Sequence, residues 1–219
     1  MMAHPGFGWP EFLFLLTGLQ WTVLLTAIAF AGGGTAGLGV ALARTGTSRI
    51  RRYMAQSYIA VFQGTPLLLQ LFVVYYGLGL VGLKLPAWGA VAIGFTLNAS
   101  AFLAEIWRGG IQAVPGGQAE AGRALGLRPW AVARRIVLPQ ALRIAQPATV
   151  GYLVQLIKGT SLAAIVGFIE LARAGQIVSN QTFQPLLVFA IVGALYFCLC
   201  WPLSLYSARL ETRFAATTR

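Results

Sequence analysis

The residues that could do chemistry in this chain are neutral hydrogen-bonding groups within long apolar runs. Inside a membrane, such groups either join helices to one another or form a site for a small polar solute near the midplane. Breaks in a helix favour the second use, and Gly64, Pro66 and Gly77 are possible breaks. The polar set comprises Gln63, Thr65, Gln70, Tyr75, Tyr76, Asn98, Ser100, Tyr152, Gln155, Thr160 and Ser161.

Catalytic chemistry has little support in the sequence. His4 is the only histidine, and no G-x-x-x-x-G-K-[ST] phosphate loop occurs. Cys198 and Cys200 are two positions apart, so on one helix they point away from each other and predict neither a disulfide nor a metal pair. We therefore expect neither a catalytic or metal site nor ATP hydrolysis by this chain, and a membrane enzyme is disfavoured.

Two charged residues, Lys158 and Glu105, lie in or near predicted membrane spans, where charges are rare. Lys158 lies far along an apolar run, where a central lysine costs about 2.5–3.5 kcal/mol on insertion scales. Its ammonium could snorkel to the outer interface, or it could face the interior and meet Glu170 or a substrate carboxylate. Both interpretations stay open. Glu105 precedes Arg108 by one helical turn and predicts a structural ion pair.

The elements that carry these residues are predicted to be membrane-spanning helices. The chain has 219 residues, of which 58% are hydrophobic and only 10% charged. Several apolar runs exceed the ~18 residues that indicate a span. We predict an all-α integral membrane protein, a bundle of about five transmembrane helices. The predicted spans cover residues 16–43, 53–80, 87–107, 140–166 and 185–207.

The positive charge is distributed as membrane topology requires. The net charge is +11, and most arginines cluster at 44–52, 108–143 and 209–219. These clusters alternate with apolar runs, which is the positive-inside pattern and argues against a nucleic-acid surface. An odd number of spans then predicts the N-terminus outside and the C-terminus inside. Residues 1–15 are predicted to be an interfacial segment, and 215–219 a cytoplasmic tail.

Glycines in the first span predict close helix packing. Gly32–Gly37 formally matches a dinucleotide-binding pattern, but it follows no strand. Gly33 and Gly37 instead form a G-x-x-x-G face, which allows a neighbouring helix to approach.

The polar loop 108–139 contains a short helix. Good helix formers fill 118–125, and Gly126 suits the left-handed position that ends a helix. Pro129 then fits the first turn of a second helix. On the cytoplasmic side, such a surface helix is either a docking element or a connection.

These residues also resemble a known family. Glu120-Ala121-Gly122, Gly126 and Ile136-Val137-Leu138-Pro139 have the spacing of permease subunits of ATP-binding-cassette importers, with Gly122 where alanine is usual. Gly109-Gly110-Ile111, Val114-Pro115, 138–141 and 160–162 resemble the polar amino acid branch. The resemblance extends from about Leu16 to Phe214, within a transmembrane domain predicted for 16–214.

The resemblance implies a type I importer permease with a cytoplasmic coupling helix, forming half of the pathway of an ATP-driven amino acid importer. The implied partners are a cytosolic ATPase dimer that holds ATP and Mg²⁺, a second permease subunit, and an extracytoplasmic binding protein. The implied location is a bacterial cytoplasmic (inner) membrane. The implied coupling residues are Gln118, Glu120, Ala121, Gly122, Ala124, Leu125 and Gly126.

The resemblance also adds to the polar set. Related permeases place substrate contacts at positions that correspond here to Gln63, Gly64, Thr65 and Pro66, and around Lys158, Gly159, Thr160 and Ser161. With Gln70, Asn98, Tyr152 and Gln155, these form the candidate substrate pathway.

Three pathway positions depart from the family. Gln63 stands where arginine is usual, Gly159 where aspartate is frequent, and Tyr152 where some carriers of basic amino acids have glutamate. A cationic side chain would lack a counter-charge, so we expect cargo that is not a basic amino acid. A stand-alone channel or secondary carrier remains the alternative, although secondary carriers usually show repeats or intramembrane acids.

Overall fold

The protein is helical along the chain that the computed structural model describes, residues 6–217, with side chains described to residue 213. The predictions for residues 1–5 and 218–219 lie outside that range. In chain order the helices are α1 (Trp9–Thr45), α2 (Arg49–Gly64), α3 (Leu67–Phe72), α4 (Leu78–Leu80), α5 (Ala87–Gln112), α6 (Gly116–Ala124), α7 (Pro129–Val132), α8 (Leu138–Gly159), α9 (Leu171–Thr182) and α10 (Pro185–Thr217).

Short irregular turns join several of these helices into longer rods. A π-helical turn, Val73–Gly77, links α3 to α4, and another, Ala133–Val137, links α7 to α8. A 3₁₀ turn, Thr160–Val166, extends α8. Four rods are long and apolar enough to cross a membrane: α1, α5, Pro129–Val166 and α10. The pair α2 and Leu67–Leu80 forms a fifth if counted as one span bent by 105°. The predicted fold class is confirmed.

The helices extend beyond the predicted spans at several ends. α1 begins at Trp9, so residues 9–15 are helical rather than a separate segment. Pro10 sits in its first turn, where a missing N–H costs nothing. α5 continues to Gln112, and the helix that enters the fourth span begins at Pro129. The predicted loop 108–139 is thus largely helical.

α1 and α5 pack with backbone against backbone. A Cβ atom added to Gly33 would lie 2.5 Å from the Cβ of Ala99, and one added to Gly37 would lie 2.8 Å from the carbonyl oxygen of Ser100. Only residues without a side chain allow this approach, so the G-x-x-x-G face has the packing role that the sequence predicted.

α8 lies between α5 and α10, and the main core forms where it meets α1, α3 and α5. A Cβ added to Gly110 of α5 would lie 2.7 Å from the carbonyl oxygen of Ala141, so α5 and α8 are also closely apposed. The core residues with exposures of 3% or less include Leu25, Ala29, Leu71, Val91, Phe95, Ala99, Leu103 and Leu156.

α9 is a short helix that packs against α1 and α10. The backbone N–H groups of Ala172 and Arg173, in its first turn, each donate to Glu170 at 2.8 Å, and the hydroxyl of Tyr196 donates to the same carboxylate at 2.8 Å. Glu170 is fully buried, and in the described chain no ion pair joins it to Lys158. The ion pair between Lys158 and Glu170, one of the alternatives that the sequence left open, is therefore not formed.

Candidate substrate pathway and cytoplasmic helix

The break between α2 and α3 is caused by Pro66. Proline has no N–H, so the carbonyl of Phe62, four residues earlier, loses its helical donor. Thr65, which precedes the proline, is extended (φ −115°, ψ 143°), as the proline ring requires. The side-chain amide of Gln70 donates to the carbonyl oxygens of Phe62 at 2.8 Å and Thr65 at 3.0 Å, and to the Thr65 hydroxyl at 2.9 Å.

A buried chain of hydrogen bonds extends from this break to α8. The amide nitrogen of Asn98 donates to Oε1 of Gln70 at 3.0 Å. The hydroxyl of Tyr152 donates to Oδ1 of Asn98 at 3.4 Å. The exposures of Gln70, Asn98 and Tyr152 are 8%, 6% and 7%, so α3, α5 and α8 are joined through polar groups away from solvent.

A cavity of about 190 Å³ opens beside this chain. The ring of Tyr152 stacks on that of Phe102, with centroids 5.4 Å apart and planes 14° from parallel. The lining carries hydroxyl and amide groups and no charged side chain, so it can hydrogen-bond a small polar solute. The lining residues are Thr65, Leu67, Asn98, Phe102, Tyr152, Gln155, Leu156 and Gly159.

The cavity brings together five of the predicted pathway residues, namely Thr65, Asn98, Tyr152, Gln155 and Gly159. Gln70 lies directly behind Thr65 and Asn98. The sequence analysis missed the apolar lining residues. Phe102 had a usable signal, because it follows Asn98 by four residues and so lies on the same helix face.

Other predicted pathway residues lie outside the cavity lining. Gln63, Gly64 and Pro66 are exposed at the helix break. The hydroxyl of Thr160 donates to the carbonyl of Ile157 at 2.7 Å, and that of Ser161 to the carbonyl of Lys158 at 2.8 Å. Both hydroxyls are thereby engaged with their own helix.

Lys158 is on the other side of α8. It lines a groove of about 400 Å³ against α10, together with Tyr196, Phe197, Cys200 and Trp201 among others. At about 1.5 Å per residue, the α10 residues that line the groove, Gly193 to Ser204, lie roughly 12–28 Å from Pro185, so the groove runs along the middle of α10. Lys158 thus faces α10 rather than the cavity.

The short helix α6 ends as the sequence predicted. Gly126 is left-handed (φ +76°). Its N–H donates to the carbonyl of Arg123 at 2.9 Å, and that of Leu127 to the carbonyl of Gly122 at 3.2 Å. This pair of bonds is a Schellman motif. Gly122 is buried, and an added Cβ would lie 2.6 Å from Cδ1 of Ile136. The glycine that departs from the family alanine therefore lets α6 lie closely on the following helix.

The outward side of this region exposes apolar side chains. Leu125 is 81% and Trp130 69% exposed. Glu105 and Arg108 form the predicted ion pair at the end of α5, and Arg108 also donates to Gln112. We define the α6 surface by its exposed residues: Gln118, Glu120, Ala121, Ala124, Leu125 and Trp130.

Known proteins match the chain along most of its length. A family model described as the binding-protein-dependent transport system inner membrane component matches residues 33–215. The probable amino-acid ABC transporter permease protein YckA of Bacillus subtilis (strain 168) is 34% identical over 205 residues, covering 94% of this chain and 91% of YckA. The glutamine transport system permease protein GlnP of Escherichia coli (strain K12) is 33% identical over 207 residues, covering 94% of each chain.

A solved structure, that of an amino acid ABC transporter with histidines, has the same fold. It superposes with a TM-score of 0.85 at 34% identity, covering 91% of this chain and 94% of that chain. The family match spans most of the helical rods described above, including the cavity and the α6 surface. The chain is therefore a member of the family of binding-protein-dependent transport system inner membrane components.

Proposed function

We propose that this permease component carries a small, non-basic amino acid across a bacterial cytoplasmic membrane, as half of the pathway of an ATP-driven importer. The observation that carries the proposal is the cavity at the α2–α3 break, whose polar lining is neutral and hydrogen-bonding. Relatives named as amino-acid and glutamine permeases support the substrate class.

The cargo is not a basic amino acid. Thr65, Asn98, Tyr152 and Gln155 supply hydrogen bonds, but the lining contains no carboxylate for a cationic side chain. Burying a cation without a counter-charge is costly, so a neutral side chain fits this lining best. A second permease subunit of different sequence is the one element that would add a carboxylate.

ATP and Mg²⁺ belong to a partner ATPase dimer that docks on the α6 surface. Leu125 and Trp130 are large apolar side chains on a helical surface at the arginine-rich end of the bundle. Exposed apolar patches rimmed by polar groups typically mark protein contacts. An extracytoplasmic binding protein delivers cargo at the opposite end, and a second permease subunit completes the pathway.

The termini lie on opposite sides, with the N-terminus outside. If the bent α2–α3 pair crosses the membrane, the arginine clusters at 44–52, 108–143 and 209–219 all face the cytoplasm. If the pair returned to its starting side, the first and second clusters would face opposite sides, against the positive-inside pattern.

The test is uptake by the complete complex in proteoliposomes, with binding protein outside and ATP inside. We expect ATP-dependent uptake of glutamine or another non-basic amino acid. Uptake that persists without the ATPase would support a stand-alone carrier or channel instead. Dominant uptake of arginine or lysine, with no carboxylate in the partner permease's spans, would refute the cargo class.

A further inference from the structure

Pro66 leaves two carbonyl acceptors that, among residues 6–213, a single side chain satisfies. The carbonyl of Phe62 has lost its donor to the proline ring, and that of Thr65 lies in the extended break between two helices. The nitrogen of the Gln70 side chain is within 3.0 Å of both oxygens and of the Thr65 hydroxyl. Because carbonyl oxygens can only accept, the nitrogen of this amide must face the break.

The orientation of Gln70 dictates that of Asn98. A flipped Gln70 would set its oxygen against the carbonyl oxygens of Phe62 and Thr65 and remove the side-chain donor that both accept from. With its nitrogen at the break, Gln70 presents Oε1 to α5, where it accepts from the Asn98 nitrogen at 3.0 Å. The Asn98 oxygen is then turned toward Tyr152, and both of these residues line the cavity.

We propose that Gln70 is a positioning residue that fixes the hydrogen-bond polarity of the cavity, so that Asn98 offers a neutral acceptor and selects solutes that carry a neutral N–H donor. This deepens the proposed function and rests on it. The chemical class is a carboxamide side chain, which donates to the Asn98 oxygen. The isosteric carboxylate would set acceptor against acceptor and lose the bond.

A bound solute can replace the hydrogen bond that Tyr152 donates to Asn98. Its hydrogen bond to the Asn98 oxygen is 3.4 Å long, at the weak end of the range, whereas the bonds around Gln70 are 2.8–3.0 Å. The ring keeps its place by stacking on Phe102. A bound N–H donor therefore replaces the weakest bond of the chain and leaves the others intact.

A binding protein would add its own selectivity to an uptake ratio, so the test compares glutamine with glutamate as the ratio of their affinities for the permease–ATPase complex without the binding protein, measured by calorimetry. The wild-type protein should favour glutamine by roughly tenfold or more, the discrimination expected of one lost hydrogen bond. Gln70→Met, which fills similar space without polar atoms, frees Asn98 to turn, and the ratio should fall toward one.

Two further variants separate positioning from stability. Gln70→Glu is uncharged when protonated in this buried site; it then keeps a donor for the break and an acceptor for Asn98, so it should retain the glutamine preference. Thr149→Val removes a different bond between α5 and α8, from Trp107 at 3.2 Å, and should also retain it.

Each outcome decides the matter. Glutamate bound as tightly as glutamine by the wild-type complex overturns the inference, and so does a Gln70→Met ratio that stays high. If Gln70→Met does not assemble, Gln70→Leu, which also has no polar side-chain atoms, is compared in its place, and a high ratio in that variant likewise overturns the inference. A complex that transports no amino acid with ATP refutes the proposed function instead.

Discussion

At the scale of single residues, Gly33 determines how closely α1 and α5 approach each other. An added Cβ on Gly33 would also lie 3.1 Å from the backbone of Ala99 and Ser100. Backbone atoms cannot move aside as a flexible side chain can, so the two helices would have to separate.

Gly33→Ala should therefore destabilise the protein by about 1–3 kcal/mol, the usual cost of overpacking. Gly39→Ala on the same helix is the matched control, since nothing lies within 4 Å of its added Cβ. It should gain up to about 1 kcal/mol from helix propensity. Thermal unfolding in detergent measures both. Equal melting temperatures for the two variants would contradict the close packing.

Glu170 stabilises the start of α9 as a cap. Glu170→Ala would leave the N–H groups of Ala172 and Arg173 and the hydroxyl of Tyr196 without their acceptor. Each unsatisfied buried group costs about 1–3 kcal/mol. We expect much faster hydrogen exchange across 171–176. Arg173→Ala, which removes only an exposed bond to Gln176, is the control and should leave exchange unchanged.

At the scale of helices, the end of α6 depends on one left-handed residue. Gly126→Val places a β-branched residue at φ +76°, at a cost of about 1–2 kcal/mol, and should loosen the Schellman motif. We expect ATPase stimulation by cargo to fall while membrane insertion persists. Gly117→Ala at the start of α6 meets nothing within 4 Å and should keep full stimulation. Unaltered coupling in Gly126→Val would argue against docking by α6.

Local chemistry was predictable from the sequence where one residue type forces one geometry. Gly64, Pro66 and Gly77 were predicted as possible breaks, and the helix breaks at Gly64–Pro66 but continues through Gly77. Gly126 predicted the end of α6, and the apolar runs predicted the rods. The role of Gln70 was not predictable, because it depends on which carbonyls lie near its amide after the chain bends. The sequence likewise did not predict which helix Lys158 faces, because periodicity does not say which neighbouring helix packs on each face of α8.

At the scale of the whole molecule, the arginine clusters predict which loops face the cytoplasm, and thiol labelling tests that orientation. Single cysteines at Thr47 and Gln118, both exposed, should resist an impermeant thiol reagent added outside, whereas one at exposed Lys84 should react. The background replaces Cys198 and Cys200 with alanine. The control is permeabilised cells that lack the ATPase, in which nothing covers the α6 surface and all three positions should react. Labelling of position 118 in intact cells would overturn the proposed orientation.

The bend of 105° between α2 and α3 constrains the order in which the nascent chain enters the bilayer. Before α5 is synthesised, Oε1 of Gln70 has no Asn98 to accept from, and the α2–α3 pair would carry an unpaired amide oxygen into lipid. α10, by contrast, is the least buried of the four long rods and can enter as a single helix. α1 anchors every such chain, so the probe must report on α3 itself. In released chains, we expect a single cysteine at Leu69, which is exposed on α3, to react with a water-soluble thiol reagent when the chain ends at Leu80 and to be protected when it ends at Gln112. Protection in the longer chain alone would mean that α2, α3 and α5 enter the bilayer as one unit.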